Sequence, residues 1–233
     1  MPAAEDLEQY LCPSWFIDSD TPAIRSHADE AVAGAASDEQ RAVRLFYAVR
    51  DGIRYDPYAI TGEPADYRAS TVLSRRASYC IPKAVLLTAL ARAAGVPARL
   101  GFADVRNHLA SQKLLAWLGT DLFVFHGFTE FWLAGRWVKA TPAFNIELCE
   151  RFGVRPLEFD GRGDAVFHEY SVGGQRHMEY VAARGSFADL PLREIITAFE
   201  SHYGPILAGD PRGRDELFDE GPRRPGADAS TAP

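Results

Sequence analysis

Cys80 and His126 are the two residues of this chain whose types and positions best support nucleophilic chemistry. Cys80 opens the segment CIPKAVLLTALARAAG, which has Pro82 in its first turn, strong helix formers behind it and Gly95 at its end. A thiol at a helix N-terminus, or beside an imidazolium, has a lowered pKa and reacts as the thiolate. If His126 supplies the imidazole, the pair can attack a carbonyl and form a thioester, with main-chain N–H groups at the helix start stabilising the oxyanion.

The elements that carry these two residues can be predicted from hydrophobic periodicity. The segment that starts at Cys80 has few polar residues, so it should form a largely buried helix with the thiol at its N-terminal tip. FVFHGFTEFWLAGRWVKATP is aromatic and β-branched and predicts a β-hairpin with its turn at Ala134 and Gly135. The two-residue period of a strand places His126 and Glu130 on one face. The histidine and a carboxylate should therefore point the same way.

Other segments have patterns typical of regular structure. Residues 24–35 and 38–53 predict two helices, the second opened by Ser37 with Gln40 three positions later, which is a capping-box pattern. Residues 53–70 carry Pro and Gly at turn spacing and predict an irregular surface connection. The remaining predictions are a helical turn at 71–75, a strand over ARLGFADV, a short amphipathic helix or cover over HLASQKLLAWLG, and a helix from Leu192 to Tyr203.

Composition limits the classes of function. The chain has 233 residues, 47% of them hydrophobic, which is enough for a buried core, and its formal charge is -7. A negative field repels phosphate backbones and anionic lipid heads, so neither nucleic acid nor a membrane is expected as a partner. The N-terminus has no basic start followed by an apolar stretch, and we expect a cytoplasmic protein.

The three cysteines and the C-terminal segment add two further expectations. Cys12, Cys80 and Cys149 are an odd, widely spaced set with no CxxC pair, which argues against a disulfide framework, and we expect no metal and no cofactor. Residues 208–233 are rich in Pro, Gly and charge and too poor in apolar residues to offset the entropy of ordering them. We expect a single domain over residues 1–207 and a mobile tail after it.

Two blocks of sequence resemble the transglutaminase-like superfamily. CIPKAVLLTALARAAGVPARL resembles the family's pattern of a cysteine that opens a helix, followed by Gly, an aliphatic residue and Pro-Ala-Arg before a strand. HGFTEFWLAGRWVKATP resembles its second block, and IRYDPY resembles the aromatic segment upstream, so the resemblance covers roughly residues 38–145. It implies an α+β, papain-like fold in which a central helix bearing Cys80 packs on an antiparallel sheet bearing His126. Members of the family include peptidases, amidases and acyltransferases.

The sequence departs from the family pattern at the residue that would orient His126, because the family places Asp where this sequence has Thr141. A Thr141 hydroxyl can accept the Nδ1 proton of His126 and fix its tautomer, but it carries no charge to stabilise an imidazolium. Asn145 just beyond it, or Glu130 on the strand of His126, are alternatives, in that order. The alternative is that Thr141 is an ordinary residue at the end of a strand and does not contact His126. In that case the protein can have lost its catalytic activity.

Several residues are candidates for substrate contacts. Asn107 and His108 lie where a strand ends and the predicted cover begins, although polar residues there are often merely solvated. Aromatic side chains, among them Tyr79, Phe128 and Trp132, can wall a small apolar pocket. Lys83, in the first turn of the Cys80 helix, is near the positive end of the helix dipole, so we expect it to bind a carboxylate or remain solvated.

Two hypotheses of function follow from the sequence. The first is a cysteine hydrolase or acyltransferase that acts on a small amide or peptide-like substrate through a thioester, with Cys80 as nucleophile and His126 as proton carrier. The second is a non-catalytic binding or scaffold module that keeps the fold. The sequence names neither the substrate nor the acceptor, and it leaves the oligomeric state open.

Overall fold

Helices form the N-terminal part of the chain, and an antiparallel sheet follows them. A computed structural model describes residues 7–166, 172–175 and 177–204. Within those ranges the helices are α1 (Pro22–Val32), α2 (Asp38–Gly52), α3 (Ala69–Arg75), α4 (Cys80–Ala93), α5 (Gln112–Leu118), α6 (Ile146–Phe152) and α7 (Leu192–Tyr203), with a 3₁₀ turn at Pro64–Tyr67. The strands are β1 (Arg54–Tyr55), β2 (Ala77–Ser78), β3 (Ala98–Asn107), β4 (Leu122–Leu133), β5 (Arg136–Ala140) and β6 (Met178–Phe187).

Helix α4 lies at the centre of the fold. Every side chain from Cys80 to Arg92 is buried, because α4 packs against α1, α2 and α3 on one side and against β3 and β4 on the other. A helix that is apolar all round has no solvent-facing stripe and is stable only when it is surrounded in this way. The predictions of a core helix and of a thiol at its N-terminal tip are confirmed.

Lys83 ties α4 to the end of α2. Its side chain is fully buried, and Nζ donates hydrogen bonds to the carbonyl oxygens of Arg50, at 3.0 Å, and Ile53, at 2.5 Å. The last carbonyls of a helix lack partners within the helix, and a cation is favourable there. The expectation that Lys83 binds a carboxylate or stays solvated is therefore wrong. Burial lowers the pKa of Lys83 to about 7.

The four longer strands form one antiparallel sheet in the order β5–β4–β3–β6, and β1 and β2 form a short parallel pair beside it. The turn between β4 and β5 has left-handed backbone angles at Ala134 (φ 48°) and Gly135 (φ 80°). Two such residues in succession make a tight turn that matches the twist of paired strands. The predicted hairpin and its turn are confirmed.

Buried hydroxyl groups join the sheet to the central helix. Thr129 of β4 donates from Oγ1 to the carbonyl oxygen of Ala84, at 3.0 Å, and its oxygen lies 3.1 Å from Oγ1 of Thr88. Because all three groups are buried, these bonds hold β4 at a fixed height along α4. The α+β arrangement of a cysteine-bearing helix on an antiparallel sheet is thus confirmed.

Most predicted elements have their expected positions, with two exceptions. Ser37 caps α2 as predicted, since its Oγ accepts from the N–H of Gln40 at 3.3 Å, but the Gln40 side chain accepts from the N–H of Ala36 and not from that of Ser37. The final helix has the predicted bounds.

Residues 53–70, predicted as an irregular surface connection, contain β1 and the 3₁₀ turn and bury Tyr55, Tyr58 and Tyr67, so that prediction is wrong. The second exception is the region after β5. Helix α6 and strand β6 were not assigned from sequence. β6 is exposed along most of its length, so its residues lack the alternation that marks a half-buried strand. The proposed tail from residue 208 lies outside the described residues, and the domain boundary stays a prediction.

Candidate functional site

Cys80 and His126 line one cavity between the start of α4 and β4. The cavity has a volume of about 410 Å³ including its opening, and Cys80 is 8% exposed and His126 2%. The residues that complete its lining are Tyr55, Pro57, Ile60, Tyr79, Ile81, Leu114, Leu118, Phe123, Val124, Phe199 and Tyr203. The structure therefore brings the predicted nucleophile and base to a common space with a way out to solvent.

The sulfur of Cys80 lies where main-chain N–H groups converge. The main-chain N–H groups of Gly127, Ile81 and Cys80 itself favour the charged form of the sulfur and so lower its pKa, as does the charge of Lys83. Burial opposes these effects more strongly and raises the pKa of Cys80 to about 11. The expected lowering of this pKa is therefore wrong for the protein without substrate, and the thiol is protonated at neutral pH.

His126 is also uncharged at neutral pH. Burial, and then the neighbouring His177, lower the pKa of His126 to about 4. His177 is itself buried and stacks on Phe144, with ring centroids 5.8 Å apart and an interplanar angle of 14°. The resting pair is thus a neutral thiol and a neutral imidazole, which can accept a proton.

A bulge in β4 directly precedes His126. Phe125 has φ 55°, a left-handed value that is rare for a bulky side chain, and the pairing of β3 with β4 shifts register at this point. The N–H of Phe125 donates to Asp104 Oδ1 at 3.1 Å, and the N–H of Val124 donates to the hydroxyl of Tyr203 at 2.6 Å. Asp104 and Tyr203 therefore fix the main chain of the two residues that precede His126 and so help to set the position of its side chain.

An ion pair holds Asp104 in place. Arg184 of β6 donates from Nε to both carboxylate oxygens of Asp104, at 2.9 and 3.0 Å, and its Nη2 lies 2.7 Å from Oδ2. Asp104 is only 5% exposed, so its charge needs such a partner. The bulge that precedes the histidine depends on three side chains from three other elements, β3, β6 and α7, and no sequence pattern near His126 indicates this.

Gly127 allows β4 to approach the first turn of α4. A Cβ at this position would lie 3.0 Å from the Cα of Ile81 and 3.4 Å from the carbonyl oxygen of Cys80, and main-chain atoms cannot easily move away. Alanine at 127 would push β4 and the first turn of α4 apart. This changes the distance between the strand of His126 and the sulfur.

We expect Gly127→Ala to lower the free energy of unfolding by about 1–3 kcal/mol, because an added methyl group in a packed interior forces the backbone to shift. Urea denaturation monitored by circular dichroism measures the change. Gly52→Ala is the matched control, since a Cβ at Gly52 meets no atom within 4 Å. If the two variants are equally stable, β4 does not pack on α4 as described.

None of the three candidates for orienting His126 shows a hydrogen bond to it in the described part of the chain. The Thr141 hydroxyl is buried and has no hydrogen-bond partner there. Asn145 accepts from the N–H of Tyr55 and donates to Glu147, each at 3.1 Å, while Glu130 pairs with Arg99 at 2.5 Å. The identity of the third member stays a prediction.

The predicted substrate contacts divide into two groups. Tyr79 lines the Cys80 cavity, and Asn107 lines a second cavity beside it. His108 lies 3.1 Å from Glu179 through Nε2, Phe128 covers Gly101, and Trp132 packs edge-on against Trp137. None of these last three lines either cavity as the described residues define it.

Sequence reasoning missed several residues of the site. Tyr55, Phe123, Phe199 and Tyr203 line the Cys80 cavity and come from three different elements, β1, β4 and α7. Tyr55 lies within the aromatic segment IRYDPY, which is the one signal that could have indicated it. The others lie far from Cys80 in sequence, and only the folded chain brings them together.

Two further observations concern metals and membranes. Among residues 7–166, 172–175 and 177–204, no group of three or more His, Cys, Asp or Glu side chains is placed to hold a metal ion. Across the same ranges, every helix is too short or too polar to cross a bilayer.

Solved structures with a similar fold include proteins from three bacteria. A candidate cysteine protease from Cytophaga hutchinsonii is 18% identical with a TM-score of 0.49, over 80% of this chain and 48% of that one. A candidate protease from Parabacteroides distasonis is 17% identical with a TM-score of 0.37, over 57% of this chain and 25% of that one. The periplasmic domain of TgpA from Pseudomonas aeruginosa, bound to ethylmercury, is 18% identical with a TM-score of 0.39, over 60% and 49%.

The match to a sequence family is more extensive. The chain spans about half the length of the first of these solved proteins, and no curated protein gives a significant sequence match. The sequence model of the transglutaminase-like superfamily matches residues 25–142. That range is just over half of the 233 residues and contains Cys80, His126 and the strands that join them. The chain therefore belongs to the transglutaminase-like superfamily.

Proposed function

We propose that the chain is a cysteine hydrolase or acyltransferase that acts on a compact amide or peptide-like carbonyl. The observation that carries the proposal is the position of the Cys80 sulfur at the start of a buried helix, in one cavity with His126 and within reach of the N–H groups of Gly127 and Ile81. Converging N–H groups stabilise negative charge, whether it lies on sulfur or on an oxyanion next to it. A purely structural cysteine needs no such surroundings.

In the proposed reaction, His126 takes the thiol proton as the sulfur bonds to the carbonyl carbon. The resulting oxyanion collapses, the carbon–nitrogen bond breaks, and the imidazolium returns its proton to the leaving amine. Water or a second amine then attacks the thioester and releases the acyl group. Because both groups begin neutral, the proton moves during the attack and no preformed thiolate–imidazolium pair is required.

The formation of an acyl-enzyme tests this proposal without knowledge of the natural substrate. p-Nitrophenyl acetate is an activated acyl donor, and its reaction with a catalytic thiol releases one equivalent of nitrophenolate in a burst. Mass spectrometry of the quenched protein should find one acetyl group on the peptide that contains Cys80, and hydroxylamine should remove it. Acetylation spread evenly over Cys12 and Cys149 as well would count against the proposal.

The alternative is a binding module without catalysis. The observation that favours it is the Thr141 hydroxyl, which is buried without a hydrogen-bond partner among the described residues at the position where the family has an acidic residue. In that case Cys80 should react with the ester no faster than a cysteine in the unfolded chain. The same burst experiment therefore separates the two functions.

The Asp104 carboxylate provides a further test, because it acts only through the bulge before His126. We expect Asp104→Ala to slow acylation by about tenfold to 10²-fold, since small displacements of a catalytic group have effects of that size. Asp104→Asn keeps an oxygen for the N–H of Phe125 and should recover most of the rate. Both variants lose the ion pair with Arg184, so equal losses of rate would contradict a role in positioning His126.

A further inference from the structure

A second and larger cavity adjoins the one that contains Cys80. Its volume is about 650 Å³ including its opening, and the two cavities share four lining residues, Tyr55, Pro57, Leu114 and Phe123. A single ligand can therefore extend along this common wall from one cavity into the other. Leu114 belongs to α5, so the segment predicted as a cover forms part of the boundary.

The second cavity is lined mainly by aromatic and aliphatic side chains. Tyr58, Phe144, Phe152, Leu148 and Val154 contribute to it, and among the described residues none that lines it is Lys, Arg, Asp or Glu. Such a surface gains free energy by covering apolar groups and loses it by desolvating charged ones. The chemistry of the wall therefore favours an uncharged, bulky group.

The polar side chains that line the second cavity do not change its preference for an uncharged group. Asn107 Oδ1 accepts from the N–H of Leu109 at 3.1 Å, and Ser111 Oγ accepts from the N–H of Leu114 at 3.2 Å. Both side-chain oxygens are therefore already hydrogen-bonded to the main chain. His177 also lines the cavity, and burial lowers its pKa to about 4, so it is uncharged at neutral pH. The lining residues that the structure describes therefore offer no fixed charge to an ionic substituent.

We propose that this second cavity is a specificity subsite for a bulky uncharged side chain, aromatic or branched aliphatic, on the substrate whose carbonyl lies at Cys80. The inference rests on the proposed function and adds the class of substrate to it. The residues predicted from sequence to wall a pocket, Phe128 and Trp132, lie elsewhere. The selectivity instead comes from side chains of β1, α6 and the connections around α5.

Binding measured without catalysis tests the subsite. In the Cys80→Ala variant, nuclear magnetic resonance titrations can compare N-acetyl-phenylalaninamide, N-acetyl-alaninamide and the α-amide of N-acetyl-aspartate. We expect the phenylalanine compound to bind at least about tenfold more tightly than the alanine compound, because hydrophobic pockets discriminate apolar groups on this scale. The aspartate compound should bind most weakly.

A variant that fills the cavity gives the decisive comparison. Leu148→Trp in the Cys80→Ala background should abolish the preference for phenylalanine and leave the weak binding of the alanine compound unchanged. Ile146→Trp is the matched control, since Ile146 lies on the same helix, is 40% exposed and does not line the cavity. If Leu148→Trp does not fold, Ala110→Leu fills the cavity from the loop before α5.

The outcomes separate this inference from the proposed function. A preference for phenylalanine that Leu148→Trp removes and Ile146→Trp keeps supports the subsite. Equal binding of the three compounds, or a preference that survives the filled cavity, overturns the subsite and leaves the acyl-enzyme result on the unmodified protein unaffected. If that protein forms no acyl-enzyme with p-nitrophenyl acetate, the proposed function fails and the substrate assignment fails with it.

Discussion

Replacing Cys80 with alanine should abolish the burst of nitrophenolate, and replacing His126 with alanine should slow it by about 10³-fold at pH 7, within the range typical of general base catalysis. The reason lies in the protonation of the resting site. With the pKa of Cys80 raised to about 11, the thiolate fraction at pH 7 is roughly 10⁻⁴, so attack depends on a base that removes the proton during the reaction. Stopped-flow absorbance of nitrophenolate measures both rates.

The pH dependence of acylation gives this prediction a sharper form. In the unmodified protein, the base is available from about pH 5 upward because the pKa of His126 is lowered to about 4, and the rate should change little from pH 6 to 8. In His126→Ala only the thiolate reacts, so its rate should rise about tenfold per pH unit toward the pKa of the thiol. Parallel profiles for the two proteins would show that His126 is not the base.

An exposed cysteine supplies the control for these variants. Cys12 is exposed, whereas Cys80 and Cys149 are buried. Cys12→Ala should leave the burst unchanged, because α4 contacts this residue through its carbonyl oxygen, which accepts from Arg92 at 2.6 Å, and alanine retains that oxygen. A burst that disappears in Cys12→Ala and persists in Cys80→Ala would place the chemistry outside the proposed site.

The parts of the site that follow local rules could be predicted from the sequence. Pro82 and Gly95 delimit a helix, and β-branched and aromatic residues around the Ala134–Gly135 turn indicate a hairpin. These patterns place Cys80 at a helix tip and His126 on a neighbouring strand. The resemblance to the family adds the expectation that the two residues meet.

The parts that depend on burial and on distant contacts could not be predicted. Helix position alone suggested a lowered pKa for Cys80, but the sign depends on desolvation, which a sequence does not show. The bulge before His126 depends on Asp104, 21 residues before Phe125, and on Tyr203, 79 residues after Val124. Lys83 looked misplaced at a helix start because its partners are the carbonyls of another helix.

Acidification should destabilise the fold through the two histidines that are buried in the described part of the chain, His126 and His177. The folded protein holds the pKa of His126 and of His177 at about 4, below the ordinary value of 6.5. Between these values the unfolded chain binds a proton that the folded protein does not, so the free energy of unfolding falls as the pH falls. Between pH 7 and pH 5 we expect a loss of about 2 kcal/mol for each histidine.

Urea denaturation at several pH values between 7 and 5 measures this loss in a range where most carboxylates remain ionised. His126→Gln and His177→Gln should each remove about half of the pH dependence, because each deletes one buried imidazole. His202→Gln changes an exposed histidine on α7 and should leave the pH dependence of the free energy of unfolding unchanged. If all three variants lose stability with acid as steeply as the unmodified protein, neither buried histidine is held neutral, and the resting state assigned to the site is wrong.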